Sequence, residues 1–256
     1  MPYTGADERE RGMTYCVGLY LREGIVLLSD TRTNAGVDNI SIFSKMQVEE
    51  VPGERVLSLL SAGNLAITQA VWNRLQEGVR FDGAQHTLRT VRNMFHAAQL
   101  VGQAVRDVFQ ADGAALQAQE VRFDISLMLG GQIVGEAPRL FLIYAAGNFI
   151  EATADTPFLQ IGEHKYGKPI LDRVVSFETP VVDGVKLVMI SMDSTLRSNL
   201  TVGMPIDLLV YRADSFAVTL RRRITEEDAY FRLIREGWSA ALRQAYLEMP
   251  RPDWVP

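Results

Sequence analysis

The sequence predicts an α+β fold in which antiparallel sheets are covered by helices, and three observations carry that expectation. Its segments run strands, two helices, strands, helices, strands, helix, not in βαβ alternation. Its strand clusters are joined by short hairpin turns, which antiparallel pairing allows and parallel crossovers do not. Its 256 residues, 47% hydrophobic and 22% charged, are enough to bury a large core, with no repeat or linker after residue 13.

Taken in order, residues 1–12 are a polar leader whose end, Asp7-Glu8-Arg9-Glu10-Arg11-Gly12, is too charged for a signal peptide. Residues 15–21 (Tyr-Cys-Val-Gly-Leu-Tyr-Leu) and 25–30 read as strands about the turn Arg22-Glu23-Gly24. The polar stretch 31–45, with Asn34, Gly36, Asp38 and Asn39, reads as a loop. Strands follow at 46–51 and 56–60 about Pro52-Gly53-Glu54, the second ending at Ser61-Ala62-Gly63-Asn64. Residues 65–76 place Ile67, Val71 and Leu75 at helical spacing. Residues 87–109 carry two apolar stripes. Leu88, Val91, Phe95, Ala98, Gly102, Val105 and Phe109 make one, and Met94, Ala97, Val101, Ala104 and Val108 the other. A face that wide predicts a helix touching more than one layer.

Strands return at 124–129 and 132–135 about a Gly130-Gly131 turn, and at 139–146 before Gly147-Asn148. Residues 165–174 and 184–196 read as helices, and 207–211 and 216–221 as strands about Ala213-Asp214. Thr225-Glu226-Glu227-Asp228 is a helix start with acidic residues in its first turn. The helix it opens turns Tyr230, Ile234, Trp238, Ala241, Ala245 and Met249 inward and stops before Pro250 and Pro252.

Several functions are disfavoured at once. A net charge of −5 argues against nucleic-acid binding. No run of ~18 apolar residues spans a membrane. One cysteine, Cys16, forms no internal disulfide, which points to a reducing cytoplasm; its strand position makes it a small apolar filler. There is no phosphate loop and no dinucleotide glycine pattern. His86, His96 and His164 lack metal spacing, so neither a metal nor a cofactor is expected.

The informative stretch is Thr14 to Lys45. A threonine stands at the head of a hairpin, Asp30 closes the second strand and Lys45 begins the third. At ~3.3 Å per residue the hairpin returns Asp30 to the level of Thr14, and a further antiparallel strand would bring Lys45 to the same edge. A threonine hydroxyl needs a base beside it to act as a nucleophile. If Thr14 becomes the first residue, its own α-amine, with a reference pKa of ~7.7–8, can be that base. A lysine ammonium nearby lowers that pKa, and a carboxylate holds the lysine in place. Gly63, at a strand end before a helix, can offer a backbone N–H to a developing oxyanion.

The segment Ser29-Asp30-Thr31-Arg32-Thr33-Asn34-Ala35-Gly36, then Lys45, then Ser61-Ala62-Gly63, resembles the amino-terminal half of a proteasome β-type subunit. More specifically, residues 162–171 (Gly-Glu-His-Lys-Tyr-Gly-Lys-Pro-Ile-Leu) and 191–200 (Ser-Met-Asp-Ser-Thr-Leu-Arg-Ser-Asn-Leu) resemble the bacterial proteasome-related Anbu family. The resemblance runs from residue 13 to about residue 250. It implies a four-layer αββα Ntn-hydrolase sandwich over residues 14–250 and a tail at 251–256. Residues 1–13 are then a leader, a propeptide or a misplaced start.

It further implies amide hydrolysis of a peptide or unfolded-protein substrate and self-association into a homo-oligomer, and it leaves an unidentified ATPase partner open. Carried over residue by residue, Thr14 is the nucleophile, Asp30 and Lys45 its support and Gly63 the oxyanion donor. Asp193 resembles the later aspartate that orders the amino terminus, and Ser198 its serine partner. The chain departs from the pattern at Lys45, one residue early, and at Glu163, which stands where a serine is usual and so bears on the proton-relay arrangement. Two other readings stay open, a catalytically silent scaffold subunit and an amidase acting on a small non-peptide amide.

Overall fold

The computed structural model describes residues 14–34 and 40–255. The first half holds β1 (Tyr15–Leu21), β2 (Gly24–Asp30), β3 (Arg32–Asn34), β4 (Ile40–Ile42), β5 (Met46–Val51), β6 (Arg55–Gly63), α1 (Leu65–Glu77), β7 (Val79–Phe81), β8 (Ala84–His86) and α2 (Met94–Ala118). The second holds β9 (Ile125–Ile133), β10 (Arg139–Ile143), β11 (Phe149–Glu151), β12 (Phe158–Gly162), α3 (Lys168–Val174), α4 (Val181–Ser198), β13 (Ile206–Arg212), β14 (Leu220–Ile224) and α5 (Ala229–Glu248).

Two five-stranded sheets, β12-β1-β2-β13-β14 and β11-β10-β9-β6-β5, are antiparallel at every pairing. Their inner faces meet through Cys16, Ile25, Leu27, Met46, Leu60, Met128, Leu140 and Tyr211. Because successive side chains of a strand face opposite sides, Tyr15, Val17 and Leu19 of β1 turn outward, onto a layer that includes Leu171, Val188 and Phe231 of α3, α4 and α5. Helices α1 and α2 cover the outer face of the other sheet through Ile67, Val71, Val101 and Val105. The order helix, sheet, sheet, helix is the αββα sandwich, so both sheets are buried on both faces.

Several sequence expectations are corrected. Gly130-Gly131 is no turn, because β9 runs through it, pairing Ser58 with Gly130 and Leu57 with Gly131. These glycines provide clearance: a Cβ on Gly131 (φ +155°) would lie 2.0 Å from the Val56 carbonyl oxygen, and one on Gly130 3.0 Å from a Leu140 methyl. The stretch read as a loop at 31–45 contains an antiparallel ribbon, Arg32 opposite Ile42, while its residues 35–39 lie outside the described residues. The leader at 1–13 and Pro256 also lie outside them.

The helix read from 87 begins at Met94, where the Asn93 side chain accepts from His96 N at 2.7 Å. Leu88 and Val91 are buried from a turn instead, which the Arg55 guanidinium pins by donating to their carbonyls at 3.1 and 2.8 Å. Of its two stripes the second is buried, whereas Phe95 and Phe109 are exposed. The strand read at 216–221 lies at Leu220–Ile224. Helix α5 starts after Asp228, which caps Phe231 N at 2.9 Å, so Glu226 and Glu227 precede it. Phe231 and Ile234 are its buried residues, while Tyr230, Ala241, Ala245 and Met249 are exposed.

Candidate active site

Thr14 precedes β1 and is buried. Its carbonyl accepts the Glu163 N–H at 2.6 Å. Next to Glu163, Gly162 pairs with Tyr15 and takes φ +80°, where a Cβ would lie 1.9 Å from the Thr14 carbonyl oxygen, so only glycine lets β12 approach this closely. Pairing of β1 with β2 then sets Asp30 opposite Tyr15, one residue from Thr14: Cys16 faces Ser29 and Val17 faces Leu28.

Asp30 is completely buried and accepts three hydrogen bonds. Its Oδ1 takes Lys45 Nζ at 2.7 Å and the Tyr15 N–H at 3.1 Å, and its Oδ2 takes the Gly203 N–H at 3.3 Å. Burial raises the Asp30 carboxyl above the ordinary carboxylate range, against the opposing pull of Lys45 and the two N–H groups. Lys45 is also buried and gives a second N–H to the Arg32 carbonyl at 2.7 Å. An ammonium has three donors, so one remains after Asp30 and Arg32. Lys45 reaches this place from the other sheet, at the head of β5, not from a further strand beside β2. The pair therefore bridges the two sheets at one end of the sandwich.

Gly63 ends β6 at that same end. Ser61 N donates to the Lys45 carbonyl at 3.0 Å and Asn64 N to the Asp124 carbonyl at 2.9 Å. Antiparallel ladders alternate, so odd-numbered residues of β6 point toward β5 and even-numbered ones toward β9. The Gly63 N–H thus points past Lys45, where β5 has already ended, and no described residue accepts it. Gly63 has φ +108°, and a Cβ there would lie 2.3 Å from the Asp124 carbonyl oxygen.

Glu163 is buried beside Thr14, but its carboxylate is taken by the Lys165 N–H at 2.7 Å and Asn199 Nδ2 at 3.0 Å. Asp193 is buried elsewhere: it binds Arg197 Nε at 3.2 Å and Arg235 Nε at 2.9 Å, tying α4 to α5. Ser198 lies exposed at the end of α4 and makes no hydrogen bond to Thr14, Asp30 or Lys45 among the described residues. The structure thus brings Thr14, Asp30, Lys45, Gly63 and Glu163 to one end of the sandwich, gives the Asp193 carboxylate to two arginines and leaves Ser198 exposed.

Four further residues support the site without having been singled out in the sequence. Gly203 donates to Asp30, and Asn199 anchors Glu163. Tyr15, next to Thr14, joins its hydroxyl to Ser191 Oγ at 2.6 Å and to Gln160 Nε2 at 2.7 Å, locking β1 to α4 and β12. Gly162, already inside the quoted 162–171 segment, is set apart by its left-handed backbone, which sequence does not display. Among the described residues no group of three His, Cys, Asp or Glu is placed to hold a metal ion, and no helix is long and apolar enough to cross a membrane.

No family model and no curated protein matches the chain. Solved structures do. A Gly-1 mutant of Anbu from Hyphomicrobium sp. strain MC1 is 53% identical, with a TM-score of 0.86 over 94% of this chain and 99% of that one. Anbu (ancestral beta-subunit) from Yersinia bercovieri is 48% identical, with a TM-score of 0.87 over 95% of this chain and 100% of that one. The Anbu complex of Pseudomonas aeruginosa, solved as a helical assembly, is 49% identical, with a TM-score of 0.88 over 94% and 99%. Near-complete coverage at about half identity, on the Ntn-hydrolase sandwich already described, leads to one conclusion: the chain belongs to the Anbu family of ancestral proteasome β-subunit-like proteins.

Proposed function

We propose that this protein is an N-terminal-nucleophile threonine hydrolase, a proteasome-type peptidase that cleaves peptide bonds once Thr14 is the first residue of the chain. The observation that carries the reading is the shared oxygen: Asp30 Oδ1 holds both Lys45 Nζ and the N–H of the residue following Thr14. That bond pins the start of β1 against a buried cation.

In the proposed reaction Thr14 Oγ attacks the scissile carbonyl while the Thr14 α-amine takes the hydroxyl proton. The Lys45 charge disfavours a second cation and so keeps the amine free to accept that proton near neutrality. Asp30 holds Lys45 in position. The Gly63 N–H faces the oxyanion as it forms. The carbon–nitrogen bond breaks as the amine returns its proton to the leaving group. This leaves an ester on Thr14, which water, deprotonated by the same amine, hydrolyses. With the leader in place the Thr14 nitrogen is an amide and cannot serve as base, so removal of residues 1–13 switches the enzyme on.

Membership of a family in which the Pseudomonas aeruginosa protein forms a helical assembly supports self-association of this chain as well. A peptide or unfolded polypeptide in the cytoplasm is the substrate this reading favours, and the buried, unpaired Cys16 suits a reducing compartment. The test is hydrolysis of a fluorogenic peptide library by protein whose first residue has been read by mass spectrometry. Turnover by chains beginning at Thr14 and none by Thr14→Ala supports the proposal. Equal turnover by Thr14→Ala, or by chains that keep the leader, refutes it.

A further inference from the structure

We propose that the free edge of β12 is a docking groove for an extended, apolar stretch of unfolded polypeptide, separate from the Thr14 site. β12 is the first strand of its sheet and, among the described residues, pairs with β1 alone. The bonds Tyr20 N to Pro157 O and Glu163 N to Thr14 O set the phase of that ladder at its two ends. In an antiparallel pair the bonded residues alternate, so Pro157, Leu159, Ile161 and Glu163 face β1. The N–H and C=O of Phe158 and Gln160 therefore point away from it, and no described residue takes them. Donors and acceptors repeating every second residue are the recognition element for another extended backbone.

This edge opens into a cleft of about 440 Å³ between α3 and the β10–β11 hairpin. Its apolar lining is Leu142, Ile150, Phe158, Leu159, Leu171 and Val175. Lys168 at the rim gives both oxygens of Asp172 a bond at 2.6 Å and lies 5.6 Å from the Phe158 ring centroid, so its charge is already matched. The groove thus offers backbone pairing and room for an apolar side chain, but no unmatched charge for an anion. Asp155 and His164 also line it, and the occupant that uses both the backbone edge and the apolar lining is a β-strand. The docked strand would lie beside the residues that hold Thr14, because Gln160 binds the Tyr15 hydroxyl and β12 ends at Gly162.

The probe is a fluorescein-labelled heptapeptide of alternating leucine and serine, titrated by polarisation into full-chain Thr14→Ala, which removes the proposed nucleophile. The proposal expects saturable binding. Adding Ile150→Arg or Val175→Arg weakens it at least about tenfold, because either puts a charge into the apolar lining. Leu-Ser peptides N-methylated on alternate amides lose binding in one register and keep it in the other. In the chain with Thr14 intact, both arginine variants label with peptide electrophile as wild type does. Unchanged affinity in both arginine variants, equal loss in both registers, or no binding overturns the proposal. Binding that appears only after residues 251–256 are removed also overturns it, since the tail with exposed Trp254 and Val255 would then be the occupant. The binding arms run on Thr14→Ala, so a failed hydrolase reading and a failed groove give different results.

Discussion

Removing the Asp30–Lys45 pair one residue at a time tests what the pair does for stability and for chemistry. The two side chains are 0% and 7% exposed with 2.7 Å between Nζ and Oδ1. Asp30→Leu leaves the ammonium buried with the Arg32 carbonyl as its remaining recorded partner. It also frees the N–H groups of Tyr15 and Gly203. An uncompensated buried charge costs about 3–5 kcal/mol. Lys45→Met costs less, because burial already raises Asp30 and its carboxyl can escape the charge by taking a proton.

In the double variant Asp30→Leu/Lys45→Met no charge remains to desolvate. The residual loss is the two N–H groups, about 1–3 kcal/mol each when unsatisfied. The double variant should therefore be more stable than the sum of the singles implies, with a coupling of at least about 3 kcal/mol, the cost of the uncompensated charge. Urea unfolding at one fixed protein concentration, since self-association would shift the midpoint, measures the cycle. Labelling by a peptide electrophile should be lost in all three. Additive effects on stability would show that the two groups are not coupled. Full labelling in the double variant would show that the pair is not part of the chemistry.

Other outcomes follow from single contacts. Beyond the acid limb set by protonation of the Thr14 α-amine, labelling of mature protein should fall again as pH drops through the raised pKa of Asp30, above the ordinary ~3.9, because a protonated carboxyl no longer anchors Lys45; a second limb that persists unshifted in Asp30→Asn would contradict this. The same raised value means the folded chain holds this proton more tightly than the unfolded one. Its contribution to stability should therefore be full below the unfolded pKa and decline as pH rises through the folded one, seen as a urea midpoint trend that Asp30→Asn removes. Gly162→Ala should cost more than about 1 kcal/mol, from a strained positive φ and a Cβ 1.9 Å from the Thr14 carbonyl oxygen, and should lower labelling; a variant of wild-type stability and rate would refute that fit. Burial pushes the Cys16 thiol up, so Cys16 should react with Ellman's reagent only as fast as the protein unfolds, and rapid reaction in native buffer would contradict its burial.

The long apolar strands and helices were legible because their periodicity reports burial directly. β1, β2 and β5 lie where alternating or branched residues place them, and α1 and α4 where apolar residues recur every three or four. The failures share a cause, which is that pattern records what is buried but not how the backbone gets there. Leu88 and Val91 continue the apolar stripe of α2 because they join its core, yet Arg55 holds them in a turn. Gly130 and Gly131 look like a turn in composition but serve close approach within a continuous strand. β3, β4, β7, β8 and β11 span three residues each, too short for any period to show.

At the candidate site, residue types and spacing along the hairpin brought Thr14 and Asp30 together, since adjacent strands do that by construction. Lys45 arrives across the sandwich, and Gly203 from the segment between α4 and β13, through tertiary packing that linear spacing does not encode. Asp193 shows the converse: a family-like position whose carboxylate this chain gives to two arginines.

A free amine and a nucleophilic hydroxyl on one residue are what the proposed chemistry needs, and a peptide epoxyketone tests both together because its stable adduct needs both groups. Mature protein is treated with it, digested, and the modified peptide sequenced by mass spectrometry. The expected product is one adduct per chain, on a peptide that begins at Thr14, bonded through both its nitrogen and its Oγ. An adduct on any other residue, or an assembled protein that still begins before Thr14 and takes up no label, would contradict it.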